Sequence, residues 1–410
     1  MGRKINFTKS SIEALEAAPT GKRVDYHDAK VPGLIIQVTG NGTKTFYVYK
    51  RINNRPKRVR IGRYPDFTPT NARTKAEKLI GEIADGQDPT EINRRERAQT
   101  VTLEAAFNDM TAIRTLKPKT VRDYRNIMNL AFTDWKTKPL KLISKDMVAT
   151  RHQKLGKEHG EQYANLSMRF FRSIFNFARS QYEDEEGNSL LPPNPVQRIS
   201  ASRAWFKQNR RYNYITKAEL PAWFKAVLKY KTTQADPMAI AVADFLLLLM
   251  FTGQRRGEAI SLRWTDIDLQ NKTLTAKDTK NGEDHTMPLS DFLETMLADR
   301  KKTAKNDWVF PSSRSDSHMV EPRKHILKII DNSGVSFTPH DLRRTFITHA
   351  EQLDISSYAV KRLVNHKMND DVTAGYIVSD VERLRKPMQD ITNFFLEAAR
   401  IPALIEGHDK

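Results

Sequence analysis

Residues 338–345 read Thr-Pro-His-Asp-Leu-Arg-Arg-Thr, and no other stretch says more about the chain. Threonine followed by proline is typical of a helix start, with Thr338 as the N-cap and Pro339 in the first helical position. His340 and Arg343 then fall one turn apart on one helix face. Backbone N–H groups at a helix start attract anions, so an imidazole and a guanidinium there predict a phosphate site. Taken alone, a helix-start histidine beside a surface arginine explains the segment at least as well.

A second segment, residues 252–258, reads Thr-Gly-Gln-Arg-Arg-Gly-Glu and follows an apolar run that predicts a buried core helix. Gly253 can end that helix, and the next helix begins with Arg255 and Glu258 one turn apart. The carboxylate of Glu258 can therefore orient the guanidinium of Arg255. A simple salt bridge at a helix end is the alternative.

A third segment predicts a β-hairpin. Residues 272–276 form one strand, a return strand runs through residues 286–288, and Asn281-Gly282 favours a tight turn. This turn places Lys280 at the tip, where a lysine is usually only solvated. Lys277 lies in the same hairpin and is the alternative reaching residue.

The fourth segment is Leu-Val-Asn-His at residues 363–366, followed ten residues later by Tyr376 in Thr-Ala-Gly-Tyr-Ile. Taken singly, His366 is more typical of a core histidine and Tyr376 of a packed aromatic residue.

The four segments together give an ordered set of arginine, lysine, His-x-x-Arg, histidine and tyrosine, whose side chains suit attack on a phosphodiester. A phenol has a pKa of about 10, so it needs a base and nearby cations to act as a nucleophile. These segments lack carboxylate clusters for two metals, which favours a metal-free covalent route.

The net charge of the chain indicates which class of partner it can bind. The 410 residues carry a formal net charge of +19, and residues 1–211 hold 40 Lys and Arg against 22 Asp and Glu, which is +18 of that total. We expect a polyanion to bind mainly to this half.

The absence of cysteine excludes disulfides, thiolate zinc sites and cysteine nucleophiles, and fits a reducing cytosol. The start has no long apolar segment, and the longest apolar run is too short for a membrane span, so we expect no membrane association.

The N-terminal block predicts a small sheet. Residues 33–39 and 44–50 are β-like runs joined by Gly-Asn-Gly, residues 57–62 form a third run, and Thr68-Pro69 opens a helix that ends near Gly86.

The third run of this sheet alternates in charge. Its pattern places Arg58 and Arg60 on one face and Lys57, Val59 and Ile61 on the other. A cationic strand can enter a DNA groove, and an edge strand charged against aggregation explains the pattern as well. The predicted DNA contacts of this block are Lys44, Lys50, Arg51, Lys57, Arg58 and Arg60.

The second block predicts four helices between Thr102 and Tyr182. In the last helix an apolar stripe recurs every three or four residues, formed by Tyr163, Leu166, Phe170, Ile174 and Phe177. Arg169 and Arg172 lie off that stripe and are predicted phosphate contacts, with a solvated face as the alternative. Residues 198–211 have the composition of a basic linker that can follow a DNA backbone, through Arg210 and Arg211.

The four segments and the basic blocks together resemble the tyrosine recombinases, and in particular the integrases of bacteriophages and genomic islands. Residues 212–400 look like the catalytic domain of that family and residues 100–200 like its helical core-binding domain. Residues 1–95 resemble the arm-binding domain of integrases similar to that of satellite phage P4. The resemblance implies a multidomain α+β fold. Its parts are a small arm-binding domain of sheet and helix, an all-α (SAM-like) core-binding domain, and a mainly α catalytic domain with a small β-sheet.

The resemblance also implies a role for each residue of the set. Arg255 and Arg343 clamp the phosphate, Lys280 is the general acid, and His340 accepts a proton. His366 is a further hydrogen-bond donor to the phosphate, and Tyr376 is the nucleophile. Many members have glycine where this chain has Asn365. No cofactor and no metal are expected.

The implied function is that of a site-specific recombinase that integrates or excises a phage or mobile genetic element through a 3′-phosphotyrosine intermediate. The implied partners are double-stranded DNA with arm-type and core-type attachment sites, a homotetramer, a host DNA-bending protein and an excisionase, all in the bacterial cytosol or nucleoid. Two alternatives are a type IB topoisomerase-like enzyme that relaxes supercoils and a DNA-binding regulator without catalysis.

The C-terminal segment carries a further apolar stripe at helical spacing, formed by Val381, Leu384, Met388, Ile391, Phe394 and Phe395. It can pack on a neighbouring protomer or on its own domain.

Overall fold

The computed structural model describes residues 3–52, 55–184, 186–209, 212–233, 236–279, 282–366 and 381–400. The chain divides into two compact units, residues 1–209 and 210–410. The described residues build three hydrophobic cores, whose buried members span residues 7–79, 101–199 and 215–399. The predicted domain limits 1–95, 100–200 and 212–400 each enclose one of these spans, and the limits themselves stay predictions.

The N-terminal core lies against a five-stranded sheet whose strand order follows the chain. Its strands are β1 (Arg3–Ile5), β2 (Arg23–Asp28), β3 (Leu34–Thr39), β4 (Lys44–Ile52) and β5 (Arg55–Arg63). β1 pairs parallel with β2, and the other neighbours are antiparallel. The helices of this region are α1 (Lys9–Glu13), α2 (Pro69–Ala84), which packs on β4 and β5, and α3 (Pro89–Thr100).

The sequence predicted β3, β4, β5 and α2, with Thr68 as the N-cap and Pro69 first in the helix. It did not predict β1 or β2. β2 lacks the usual alternation of apolar and polar residues, because one of its buried positions is Asp28. A carboxylate at such a position is more typical of a loop. Asp28 is buried since it accepts hydrogen bonds from the main-chain N–H groups of Phe7 and Val31 and from the guanidinium of Arg73.

β5 has the predicted alternation. Arg58 and Arg60 are exposed, Val59 is buried, and Lys57 and Ile61 are partly buried. The strand therefore presents a cationic face to solvent and packs its other face.

Between residues 102 and 182 the helical core of the first unit contains four α-helices, as predicted. They are α4 (Leu103–Ile113), α5 (Pro118–Ala131), α6 (Lys145–His159) and α7 (Glu161–Gln181). Two short 3-10 turns, Thr133–Trp135 and Leu140–Leu142, connect α5 to α6. Aromatic rings fill this core, where Phe132 stacks on Phe170 with ring centroids 6.1 Å apart.

The predicted inward stripe of α7 was wrong at Leu166, which is 46% exposed. The buried face is centred instead on Ala164, Met168, Phe171, Phe175 and Ala178, while Phe170, Ile174 and Phe177 are also buried. The apolar arc of this helix is wide, so two stripes with different phases fit the sequence equally well.

The predicted basic linker is partly folded. α8 (Gln197–Ala201) precedes Trp205 and Phe206, and the main-chain oxygen of Phe206 accepts a hydrogen bond from the buried Asn165 at 2.9 Å. The Phe206 ring also packs on the His152 imidazole, with centroids 4.5 Å apart. Residues up to Phe206 therefore pack on α6 and α7.

The second unit surrounds one almost wholly apolar helix, α10 (Pro237–Thr252), which the sequence predicted as a buried core helix. Around it lie α9 (Leu220–Thr233), α11 (Arg256–Ile260), α12 (Asp291–Lys302), α13 (Arg323–Ser333), α14 (Pro339–Glu351), α15 (Ser357–Leu363) and α16 (Glu382–Ala399). A 3-10 turn, Trp264–Asp266, leads into a three-stranded sheet of β6 (Ile267–Asp268), β7 (Thr273–Ala276) and β8 (His285–Pro288) in that order.

The C-terminal helix α16 packs on its own domain. Leu384, Met388, Ile391 and Phe395 are buried in the core of the second unit, and α16 contacts α9, α10 and α15. Of the two predicted alternatives for this stripe, packing within the protomer is the one observed. Within the described ranges, no helix combines the length and apolar character needed to cross a bilayer.

Candidate active site

The turn after α10 sets the position of Arg255. Gly253 ends the helix with a left-handed backbone (φ 61°), and Arg255 is the N-cap of α11. The Arg255 guanidinium donates from Nη1 to Glu258 Oε1 at 2.9 Å. The predicted orientation of Arg255 by Glu258 is therefore present, and only 24% of the arginine side chain is exposed.

The start of α14 has the predicted capping. Asp341 Oδ2 accepts hydrogen bonds from the main-chain N–H of Thr338 at 2.9 Å and from its hydroxyl at 2.7 Å. This reciprocal cap fixes the first turn, which carries His340, and the next turn, which carries Arg343. The two side chains differ in exposure, since His340 is exposed and Arg343 is only 5% exposed.

Arg343 is held by two main-chain oxygens. Its Nη1 donates to Gly253 O at 2.8 Å and its Nη2 to Val364 O at 2.6 Å. Burial, and to a smaller extent the charge of Arg255, lower the pKa of this guanidinium to about 10, against the opposing effect of Glu258. Arg343 is still a cation at neutral pH.

Main-chain carbonyls at the end of α15 form hydrogen bonds with three polar side chains of the site. The carbonyls of Leu363, Val364 and Asn365 point to His285, Arg343 and Arg255 respectively, over 3.2, 2.6 and 3.1 Å. Unpaired carbonyls at a helix C-terminus carry partial negative charge, which favours bound cations. One short main-chain segment, directly before His366, thus positions both arginines.

Neighbouring charges act on the imidazole of His340. Although His340 as a whole is exposed, partial desolvation of its imidazole lowers the pKa, and the charges of Arg344, Arg343 and Arg255 lower it further against the opposite effect of Asp341. The ring is therefore neutral at neutral pH and able to take a proton.

His366 is exposed and follows a left-handed residue. Asn365 has φ 48°, and the main-chain N–H of His366 donates to Lys361 O at 2.9 Å. Asparagine tolerates the left-handed region better than most residues, which explains how it replaces the glycine found in many tyrosine recombinases.

The predicted β7–β8 hairpin has both of its strands, which residues 277–284 connect. Asn281, the first residue of the predicted tight turn, lies outside the described residues. Lys277 is paired with Asp266, their atoms lying 2.9 Å apart, and this pairing raises the pKa of the lysine. Thr279 is buried, and its main-chain oxygen accepts from Gly282 N at 2.9 Å. Lys280 lies outside the described residues, and so does Tyr376.

His285 is a member of this cluster that sequence reasoning missed. Its Nε2 lies 3.2 Å from Leu363 O, which as a carbonyl can only accept, so this nitrogen carries the proton. Burial lowers the pKa of His285, as do Arg255 and Arg343, against the opposing effects of Leu363 O and Glu258. A histidine at the start of the return strand was its only signal in the sequence.

Several of the predicted DNA contacts have partners within the protein. Lys44 donates to Ile12 O at 2.7 Å, Lys57 is paired with Asp88, and Arg58 is paired with Asp25 at 2.6 Å. Arg51 and Arg60 are exposed, and Lys50 is partly buried.

In the helical core, Arg169 and Arg172 are exposed and lie over the Trp205 ring, 6.0 and 5.7 Å from its centroid. Arg210 and Arg211 are outside the described residues. Among the residues that the structure does describe, there is no group of three or more side chains that could hold a metal ion.

Comparison with known proteins places this site in a family. Residues 213–383 match the model of the phage integrase family, and residues 7–96 match an arm DNA-binding domain. The chain belongs to the phage integrase family. It is a site-specific tyrosine recombinase, as the sequence predicted, and the matches do not favour the topoisomerase-like or regulatory alternatives.

Two prophage integrases of Escherichia coli K12 are similar to this integrase over most of its length. IntF is 25% identical over 431 residues, covering 93% of this chain and 89% of IntF. IntZ is 26% identical and covers 84% of each chain. Among solved structures, a lambda integrase tetramer bound to a Holliday junction matches with a TM-score of 0.52 and 21% identity, over 84% of this chain and 98% of that one. The predicted multidomain α+β fold is thereby confirmed.

Proposed function

We propose that this integrase cleaves and rejoins DNA through a 3′-phosphotyrosine link at Tyr376, and so integrates or excises a phage or other mobile element. One observation carries the assignment of the site. Arg255 and Arg343 converge on consecutive carbonyls at the end of α15, directly before His366, which itself lies ten residues before Tyr376. The proposed nucleophile thus follows the segment that holds the proposed phosphate clamps.

The two arginines would bind the non-bridging oxygens of the scissile phosphate. A guanidinium has five N–H donors, so the two that Arg343 gives to carbonyls leave others for a ligand. Charge that develops on the phosphate in the transition state is offset by these fixed cations in a partly buried site. His366 would add one more donor.

Proton transfer completes the proposed step. The Tyr376 oxygen attacks phosphorus, its proton passes to the neutral His340, the P–O5′ bond breaks, and O5′ takes a proton from Lys280. The reverse reaction, with the 5′-hydroxyl of a partner strand, forms the new phosphodiester and frees Tyr376. The pairing of Lys277 with Asp266 raises the pKa of Lys277 and makes it a weaker acid, which supports Lys280 in this role.

The basic first half would hold the DNA. Residues 1–211 carry +18 of the +19 net charge, and the exposed face of β5 presents Arg58 and Arg60. Binding should weaken steeply with salt, because each neutralised phosphate releases counterions. The arm domain suggests separate arm-type and core-type sites on the DNA.

We extend the proposal to a homotetramer acting with a host DNA-bending protein and an excisionase, in the bacterial cytosol. The similar lambda integrase structure holds a tetramer on a Holliday junction, which supports such an assembly here.

The test is covalent trapping. A pool of nicked duplexes with a randomised core is incubated with the full chain, so that cleavage releases a short strand and leaves the enzyme attached. The wild type should give an adduct that survives denaturation, as should Tyr212→Phe, a control at a tyrosine that is 77% exposed. Tyr376→Phe should give none. No wild-type adduct, or an adduct in Tyr376→Phe, would overturn the proposal.

A further inference from the structure

Asn365, at the end of α15, contacts both Arg255 and Thr279. Its main-chain oxygen accepts from Arg255 Nη2 at 3.1 Å. Its side chain leaves in another direction, where Nδ2 donates to the hydroxyl oxygen of Thr279 at 3.1 Å. The left-handed backbone of Asn365 allows both contacts at once. A glycine here would keep this backbone and the Arg255 contact, and would remove the side-chain donor to Thr279.

Thr279 is the other end of this contact and stabilises the hairpin connection. Its side chain is fully buried, and its hydroxyl donates to Glu283 O at 2.8 Å. Its main-chain oxygen accepts from Gly282 N at 2.9 Å. A hydroxyl has one proton and two lone pairs, so donating to Glu283 leaves it able to accept from Asn365. The amide, the hydroxyl and the carbonyl form a continuous chain of hydrogen bonds.

We propose that Asn365 and Thr279 are positioning residues, which fix the connection between β7 and β8 against the segment that binds Arg255 and Arg343. Thr279 directly precedes Lys280 in the sequence. The inference rests on the proposed function, in which Lys280 protonates the leaving oxygen. Asn365 and Thr279 then act on that one proton transfer through the position of Lys280.

A change of leaving group allows the proton transfer from Lys280 to be tested separately from the other steps. When the P–O5′ bond breaks, an alkoxide forms unless a proton is delivered. When sulfur replaces this bridging oxygen, a thiolate leaves instead, and a thiol has a pKa of about 8.5, so no acid is needed. A defect in proton delivery is therefore large with the oxygen substrate and small with the sulfur substrate.

The experiment compares both substrates in single-turnover cleavage by the full chain. The variants are Asn365→Gly, Thr279→Val and the double variant, with Lys280→Ala as the reference for loss of the acid. Thr275→Val is the matched control, because Thr275 lies in the same hairpin and pairs with the Thr286 hydroxyl at 2.9 Å, away from Asn365. Circular dichroism and thermal unfolding establish that each variant is folded.

Each single variant should cleave the oxygen substrate about fivefold to tenfold more slowly. Thr279→Val also removes the donor to Glu283 O and should be the slower of the two. With the sulfur substrate each should approach the wild-type rate. The double variant should be no slower than the slower single variant, because both changes remove the same contact. Thr279→Ser, which restores the hydroxyl, should recover most of the loss, and Thr275→Val should show the wild-type ratio between the two substrates.

Two failures are distinguishable. If sulfur rescues Lys280→Ala but neither Asn365→Gly nor Thr279→Val, the positioning role is wrong and the proposed function stands. If sulfur does not rescue Lys280→Ala, the acid is misassigned and the proposed function fails at that residue. Equal slowing of both substrates in the two single variants, or additive losses in the double variant, would also overturn the positioning role.

Discussion

Arg343 donates from Nη1 to the main-chain oxygen of Gly253 over 2.8 Å. Its other terminal nitrogen donates to Val364 O at 2.6 Å, so a single buried guanidinium joins the end of α10 to the end of α15. The same side chain is a proposed phosphate clamp. Its structural and catalytic roles should therefore be lost together.

Arg343→Lys tests this double role. One ammonium nitrogen cannot reproduce the planar fork, so at least one buried carbonyl loses its donor, at a cost of about 1–3 kcal/mol of unfolding free energy. Adduct formation should fall about 100-fold, the typical effect of losing one donor to a transition-state oxyanion. Denaturant unfolding and the trapping assay measure the two effects.

Arg344→Lys is the control for that experiment. Arg344 lies on the same helix and gives one hydrogen bond to Asp341 at 3.1 Å, which a lysine can also give. We expect near wild-type stability and adduct yield. If Arg343→Lys behaved like this control, the fork would have no function.

Gly253→Ala should destabilise the second unit. The backbone there is left-handed, and an added Cβ would lie 2.6 Å from the Phe346 ring. Strain and overpacking together predict a loss of about 2–4 kcal/mol, or roughly 4–16 °C in melting temperature for a unit of this size.

The matched control is Gly257→Ala within α11, where an added Cβ meets nothing within 4 Å. Alanine is the better helix former, so this change should be neutral or stabilise by about 0.5–1 kcal/mol. Equal melting temperatures for the two variants would contradict the close approach at Gly253.

Local signals in the sequence were reliable because their partners are near in the chain. The caps at Thr68 and Thr338 and the helix end at Gly253 depend on residues one turn away, and the structure has all three. The strand β2 was missed because its buried Asp28 is neutralised by Arg73, 45 positions later. No window around Asp28 contains that partner.

The residues of the site were easier to find than their supports. Arginine and histidine side chains are visible in a sequence, whereas the carbonyls of Leu363, Val364 and Asn365 are common to every residue. The departure from glycine at Asn365 was visible, but its contact with Thr279 joins positions 86 apart. Main-chain acceptors and long-range contacts therefore required the fold.

The rate of adduct formation should depend on pH through His340. Its pKa lies below the ordinary value of 6.5, so the neutral ring that accepts the phenol proton persists at neutral pH and is lost as pH falls. We expect the rate to level off near neutral pH and to decline towards acid pH with a midpoint below 6.5. Arg344→Gln removes a charge that lowers this pKa and should move the midpoint upward.

The control for this shift is Arg314→Gln, at an exposed position that does not contribute to the His340 pKa. Its midpoint should equal that of the wild type. An unchanged midpoint in Arg344→Gln, or a rate that rises as pH falls, would exclude His340 as the proton acceptor.

The buried carboxylate of Asp244 gives a prediction about stability alone. It lies within the apolar helix α10, with Arg300 Nη1 at 3.0 Å and Lys231 Nζ at 2.7 Å. Asp244→Asn leaves the buried Arg300 without a counterion and should cost about 3 kcal/mol or more. Asp299→Asn, which removes an exposed pair with Lys302, should cost less than about 0.5 kcal/mol. Denaturant midpoints compare the two.

A second change separates loss of the pair from loss of packing at Asp244. In Asp244→Asn/Arg300→Met the unpaired buried guanidinium is gone and only the more exposed Lys231 has lost its partner, so stability should recover in part. Recovery should be incomplete, because Arg300 Nε also donates to Val309 O at 2.7 Å and methionine leaves that carbonyl unpaired. If the double variant were less stable than Asp244→Asn, the destabilisation would come from packing around α10 and not from an uncompensated charge.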